Sequence, residues 1–125
     1  MDEYAKNRLK SLLMTYHVGQ EKAIHKDELL DEVFGPEAKK DKSYNNLYDR
    51  ALRAMVEYIN ANESGMICSD TTHGYWWAES LSDGLPAAEK NKSRALTQLH
   101  NAEQLEENMR RQFGGQLELI RGGKG

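Results

Sequence analysis

Two breaks, Gly35-Pro36 and Asn62-Glu63-Ser64-Gly65, divide residues 24–78 into pieces that can only be short helices and a hairpin. Before the first break, residues 27–34 place Leu29, Leu30, Val33 and Phe34 on one helical stripe. Glycine tolerates left-handed backbone and proline cannot continue a helix, so that helix ends there. Residues 37–42 are polar, show no period, and read as a solvated turn. Ser43 is positioned to cap a longer helix over residues 44–60, with Tyr48, Ala51, Leu52, Met55, Val56 and Ile59 on its apolar face. After the second break, residues 66–69 and 75–78 read as two strands joined by a five-residue loop that ends in Gly74. Upstream, Ala5, Leu9, Leu12, Leu13 and Tyr16 predict a first helix over residues 2–17. Ala23-Ile24-His25 is too short for a helix and suits one small strand.

Helix, short helix, turn, longer helix and hairpin, in that order, is the element order of a winged helix-turn-helix. The expected class is therefore mainly α (α+β), with a two-stranded wing and an added C-terminal helix. Residues 1–80 would form the winged-helix domain and residues 81–86, rich in serine, glycine and proline, a linker. Residues 87–113 hold no breaker and predict a polar helix with a thin seam of Ala95, Leu99, Ala102, Leu105 and Met109. A helix so polar is marginal alone in water, so it is expected to pack on the domain or to pair two copies. Gly114-Gly115 should close it, leaving residues 114–125 as a flexible tail.

In a winged helix the second helix of the pair lies in the DNA major groove, which is just wide enough for it. Its polar face here carries Asn45, Asn46, Asp49, Arg50 and Arg53. Asparagine amides match adenine, and arginine forks to guanine or phosphate. Ser43 and Tyr44 can donate to phosphate, and Lys39, Lys40 and Lys42 approach the backbone. Over residues 39–53 these lysines and two arginines make five cations against Asp41 and Asp49, although the whole chain carries a formal charge of −3. Thr72 and His73 at the wing tip complete the candidate contacts to double-stranded DNA. The competing reading is a solvated helix face on a protein-interaction module that does not bind DNA. The overall acidity and the absence of Lys or Arg in the wing favour that second reading.

Other chemistry finds little support. Tyr75-Trp76-Trp77 invites base stacking, but strand alternation sends Tyr75 and Trp77 to one face and Trp76 to the other, so at least one tryptophan belongs to a core. Cys68 is the single cysteine, which excludes an intrachain disulfide and fits a reducing, cytoplasmic setting. With no C-x-x-C or H-x-x-x-H spacing, neither a metal nor another cofactor is expected, and no constellation points to an enzyme. The acidic N-terminus lacks the apolar run of a secretory signal, and no segment approaches the roughly 20 apolar residues of a membrane span.

The segments Tyr48-Asp49-Arg50-Ala51-Leu52-Arg53, Gly65-Met66-Ile67-Cys68-Ser69 and Gly74-Tyr75-Trp76-Trp77-Ala78 resemble small phage- and prophage-encoded winged-helix proteins of bacteria. In those, an Asp-Arg-x-x-Arg helix precedes a Pro-Ile-Cys-Ser strand and a Gly-Tyr-aliphatic strand; Met66 stands here at the proline position. The resemblance implies DNA binding in replication or regulation. A second likeness is confined to Gln116-Leu117-Glu118-Leu119-Ile120, which is similar to the short motif that docks bacterial proteins on the DNA polymerase sliding clamp. The glutamine amide would hydrogen-bond while Leu117, Leu119 and Ile120 fill pockets, with Ile120 where phenylalanine is usual. The rival reading of this pentapeptide is a strand or helix end packed on its own domain.

Overall fold

The computed structural model describes the backbone of residues 1–40 and 47–124, and their side chains except at positions 39, 40 and 115–124. It is mainly helical, with one two-stranded antiparallel sheet and a long C-terminal helix. Residues fall into two compact units, Met1–Ala88 and Glu89–Gly125.

In the first unit, α1 (Glu3–Tyr16) begins at Asp2, whose carboxylate accepts from the Ala5 N–H at 3.0 Å. Ala5, Leu9 and Leu13 are buried, as their spacing predicts, whereas Tyr16 is 66% exposed. A 3-10 turn at Gln20–Lys22 leads to α2 (Lys26–Phe34), which buries Leu29, Leu30 and Val33. Gly35, at φ 98°, ends it. Pro36 then opens a further short helix, α3 (Pro36–Lys40), where the sequence suggests only a solvated turn. Proline suits the first helical position, because the N–H it lacks would have had no partner there. The other reason for α3 is Ala38, which is 1% exposed and gives this polar stretch an apolar anchor. Then α4 (Leu47–Asn62) buries Leu52, Met55 and Ile59, and Tyr48 packs its ring on Phe34 with centroids 5.5 Å apart.

The hairpin comprises β1 (Ile67–Asp70) and β2 (Gly74–Trp77), in a register that pairs Ile67 with Trp77 and Asp70 with Gly74. The free edge of β2 is covered. Ile24 and Tyr75 exchange backbone hydrogen bonds of 2.9 and 2.8 Å, and Val18 bridges Trp77. The small strand expected at Ile24 is therefore present as a single bridge.

Both faces of β2 are buried, each in its own cluster. Tyr75 and Trp77 join the main core with Leu9, Leu13, Leu29, Leu52, Met55 and Ile59. Trp76 lies on the other side with Cys68 and Ala87. Ala87 comes from α5 (Leu81–Lys124), whose start corrects the expected linker at residues 81–86. The Ser80 hydroxyl accepts from the Asp83 N–H at 3.2 Å, and the Asp83 carboxylate accepts from the N–H of Gln20 and of Glu79, both at 3.0 Å. The Ser80 side chain thus caps the Asp83 N–H, and the Asp83 carboxylate ties the turn to neighbouring backbone, so a helix begins despite Gly84 and Pro86. Gly84 is buried, and a Cβ there would lie 2.9 Å from the Ala78 side chain, so glycine permits this close approach.

The expected tail is helical in backbone over residues 114–124. Helical backbone continues to Lys124, interrupted at Phe113 (φ −122°, ψ 22°). Glycine costs a helix only about 1 kcal/mol relative to alanine, so Gly114-Gly115 does not stop the helical backbone that resumes after Phe113. Among the described residues no helix is long and apolar enough to cross a membrane.

An ion network centred on the buried Lys6 joins α1 to Glu63, just past the end of α4. Lys6, 5% exposed, hydrogen-bonds Glu63, lies 3.0 Å from Glu3 and sits 4.9 Å from the Tyr58 ring centre, while Lys10 reaches Glu63 at 3.1 Å. The hydrogen bonds from Lys6 and then Lys10 hold Glu63 below its ordinary value of 4.5, and those to Glu63 and then Glu3 hold Lys6 above 10.5. The N–H groups of Gln20 and then Glu79 hold Asp83 below 3.8, outweighing burial, and Trp76 adds to this. Unfolding lets both carboxylates bind protons more readily, so their stabilisation is complete above their ordinary values and is lost as pH falls through the lower folded ones. Lys6 has the opposite sign: its contribution is complete below 10.5 and is lost as pH rises through the higher folded value. Urea midpoints should therefore form a plateau from about pH 5 to about pH 10 and decline on both sides. Glu63→Gln should shrink both limbs; a transition centred near neutrality would contradict this assignment.

Candidate nucleic-acid interface

Helix α4 presents its outer face through Arg50 and Arg53, both exposed, three residues apart and hence on adjacent turns. Asp49 departs from the expected polar face. It is 7% exposed, with its carboxylate 3.6 Å from the Arg53 guanidinium and 3.8 Å from the Lys26 ammonium. The reason is its angular position: one turn before Leu52 and Arg53, it points along the seam between α4 and the start of α2. Asp49 is thus an organiser of cations and does not face outward to a ligand. Lys26 is a member that sequence reasoning missed, since it precedes the acidic face of α2 and nothing local connects it to α4. Together Lys26, Asp49, Arg50 and Arg53 carry a net charge of +2, with Tyr75 buried behind them. Burial, and then the Asp49 charge, push the Tyr75 hydroxyl above its ordinary value, while Arg53 opposes them.

Lys42, Ser43, Tyr44, Asn45 and Asn46 lie outside the described residues. Lys39 and Lys40 form the end of α3.

At the hairpin tip Thr72 and His73 are exposed. The His73 ring nitrogen lies 2.9 Å from Asp70 Oδ2, and the His73 N–H also donates to Asp70. Burial pushes the Asp70 carboxyl up, but hydrogen bonds from the His73 N–H and ring, and from Thr72, more than offset it and hold it below its ordinary value. The tip thus holds its histidine ring and backbone against a carboxylate.

The aromatic triplet offers no stacking platform. Tyr75, Trp76 and Trp77 are 9%, 1% and 7% exposed. The Trp76 indole N–H donates to Asp83 at 3.1 Å. Cys68 is buried, and burial followed by the Asp83 charge raises its thiol, which suits an inert packing role. Among the described residues no group of three or more His, Cys, Asp or Glu side chains could hold a metal ion. A shallow depression bordered by His100, Glu103, Glu107 and Arg110 is the open side of α5 and encloses nothing. Gln116, Leu117, Leu119 and Ile120 lie on helical backbone, and their side chains are outside the described set.

No family model matches this chain, and comparison with curated proteins and with solved structures finds no similar protein.

Proposed function

We propose that the chain is a non-catalytic, DNA-binding winged-helix protein of phage or mobile-element origin, acting in DNA replication or transcriptional regulation. The observation that carries this reading is the pairing of Ile24 with Tyr75. This bridge sets the segment between α1 and α2 against the free edge of the hairpin, where a winged helix has its third strand, and under this reading α4 is the element that would enter the major groove. Arg50 and Arg53 on the outer face of α4, with Lys26 beside them, supply the cations such a helix needs.

The alternative is a winged-helix interaction module without DNA affinity, possessing a docking tail for the replication machinery. The Asp49–Arg53 contact and the Asp70–His73 pair favour it, because each places a carboxylate against a group that would otherwise meet phosphate. Fluorescence anisotropy with random duplex DNA separates the two. Under the DNA reading, binding appears at low salt, and Arg50→Ala with Arg53→Ala weakens it by about tenfold or more while lowering the salt slope by about 2. No binding at about 50 mM salt would favour the alternative, whereas affinity indifferent to that double substitution would remove Arg50 and Arg53 from the interface. Clamp docking is tested separately: deletion of residues 116–120 should eliminate capture by an immobilised sliding clamp, and undiminished capture removes the idea.

A further inference from the structure

Every residue from 89 to 112 of α5 is exposed. That stretch includes Leu96, Leu99, Leu105 and Met109, which are 58%, 55%, 59% and 44% exposed, and Phe113 just beyond it is 51% exposed. Ala95, Leu99, Ala102, Met109 and Phe113 follow spacings of four, three, seven and four, a heptad stripe. Lys92 and Glu106 occupy the same stripe, each seven residues from Leu99, on opposite sides of it. Over residues 90–108 the flanking charges are ordered likewise: Lys90, Lys92 and Arg94 precede Leu99, and Glu103, Glu106 and Glu107 follow it, with Glu89 outside the first block and Arg110 and Arg111 outside the second.

We propose that this stripe pairs with the same stripe of a second copy of the chain, antiparallel and centred on Leu99. In that orientation Lys92 of one copy meets Glu106 of the second, and the cationic block of residues 90–94 faces the anionic block of residues 103–107. Parallel pairing would set lysine against lysine and glutamate against glutamate, which is repulsive. The charge order therefore selects both the occupant and its direction. A nucleic acid would be attracted by the first half of the stripe and repelled by the second. The ion pairs Glu106–Arg110 and Glu107–Arg111 lie within one helix, and they leave both carboxylates on the surface, about half exposed. The seam is thin, with alanine at two of its positions, so association is expected in the micromolar range, roughly 1–100 µM. This inference is independent of DNA binding.

Sedimentation equilibrium of the full chain up to about 200 µM tests it, spanning the expected range. The intact protein should dimerise and Leu99→Asp should be monomeric, with the near-ultraviolet signal of the buried tryptophans unchanged to show that the first unit remains folded. Lys92→Glu and Glu106→Lys should each weaken association by about threefold to tenfold. Combined in one chain they should restore it to within about twofold, because the exchanged charges meet again only between antiparallel copies. The two positions are fourteen residues apart and do not touch within one helix, so restoration has no intrahelical explanation. A monomer at every concentration, or a double variant no better than either single one, would overturn the proposal.

Discussion

Gly74→Ala is expected to destabilise the first unit by about 4 kcal/mol, combining backbone strain with overpacking. Gly74 has φ 98°, which alanine adopts only under strain, and an added Cβ would lie 2.2 Å from the Ile24 carbonyl oxygen and 2.8 Å from the His25 Cα. Neither obstacle is the mobile end of a side chain. Both belong to the segment that hydrogen-bonds to Tyr75, so relief requires parting Ile24 from β2. A domain of this size holds only about 4–13 kcal/mol in total, so the variant should sit near its unfolding threshold. The melting temperature should fall by roughly 15–30 °C. A fall of only a few degrees would show that Ile24 does not pair with the hairpin, and with that the main support for a winged helix would go.

Trp76→Ala should cost about 3–5 kcal/mol, the range for removing a large buried aromatic. Trp76 is 1% exposed and fills the cluster that α5 makes with the hairpin through Cys68 and Ala87. Trp76→Phe separates packing from hydrogen bonding. It keeps most of the ring but leaves Asp83 without the indole donor, at a cost of about 1.5 kcal/mol, since two backbone N–H groups still satisfy that carboxylate. Calorimetric melting of both variants checks the order. Equal losses would show that the hydrogen bond to Asp83 governs this contact and the packing does not. Duplex affinity of Trp76→Phe should match the parent protein, because a buried ring meets no base; a selective loss of affinity would show the ring to be accessible.

Much of the helical framework is legible because it is periodic. Leu29, Leu30 and Val33, or Leu52, Met55 and Ile59, recur at helical spacing and are buried accordingly. Gly35-Pro36 marks the end of α2, although the same proline also opens α3, which local signals do not reveal. The start of α5 carries contradictory signals: Ser80 and Asp83 have capping-box spacing, while Gly84 and Pro86 argue for a break. Tertiary contact resolves the conflict, since Asp83 is secured by Gln20, 63 residues away, and by Trp76 of the hairpin. The candidate interface is half legible. Arg50 and Arg53 are outward as their spacing requires, but burial of Asp49 and recruitment of Lys26 depend on how α2 crosses α4.

The order of elements, the apolar stripe of each helix and the opposed faces of Tyr75 and Trp76 follow from the chain itself, because they depend on neighbours within a few residues. Only the tertiary structure decides that both tryptophans are inside, that Lys6 and Asp49 are buried charges with partners, and that Ile24 joins β2. Those outcomes depend on desolvation and pairing between segments far apart in the chain, such as Lys6 and Glu63, 57 residues apart, and no local periodicity encodes that.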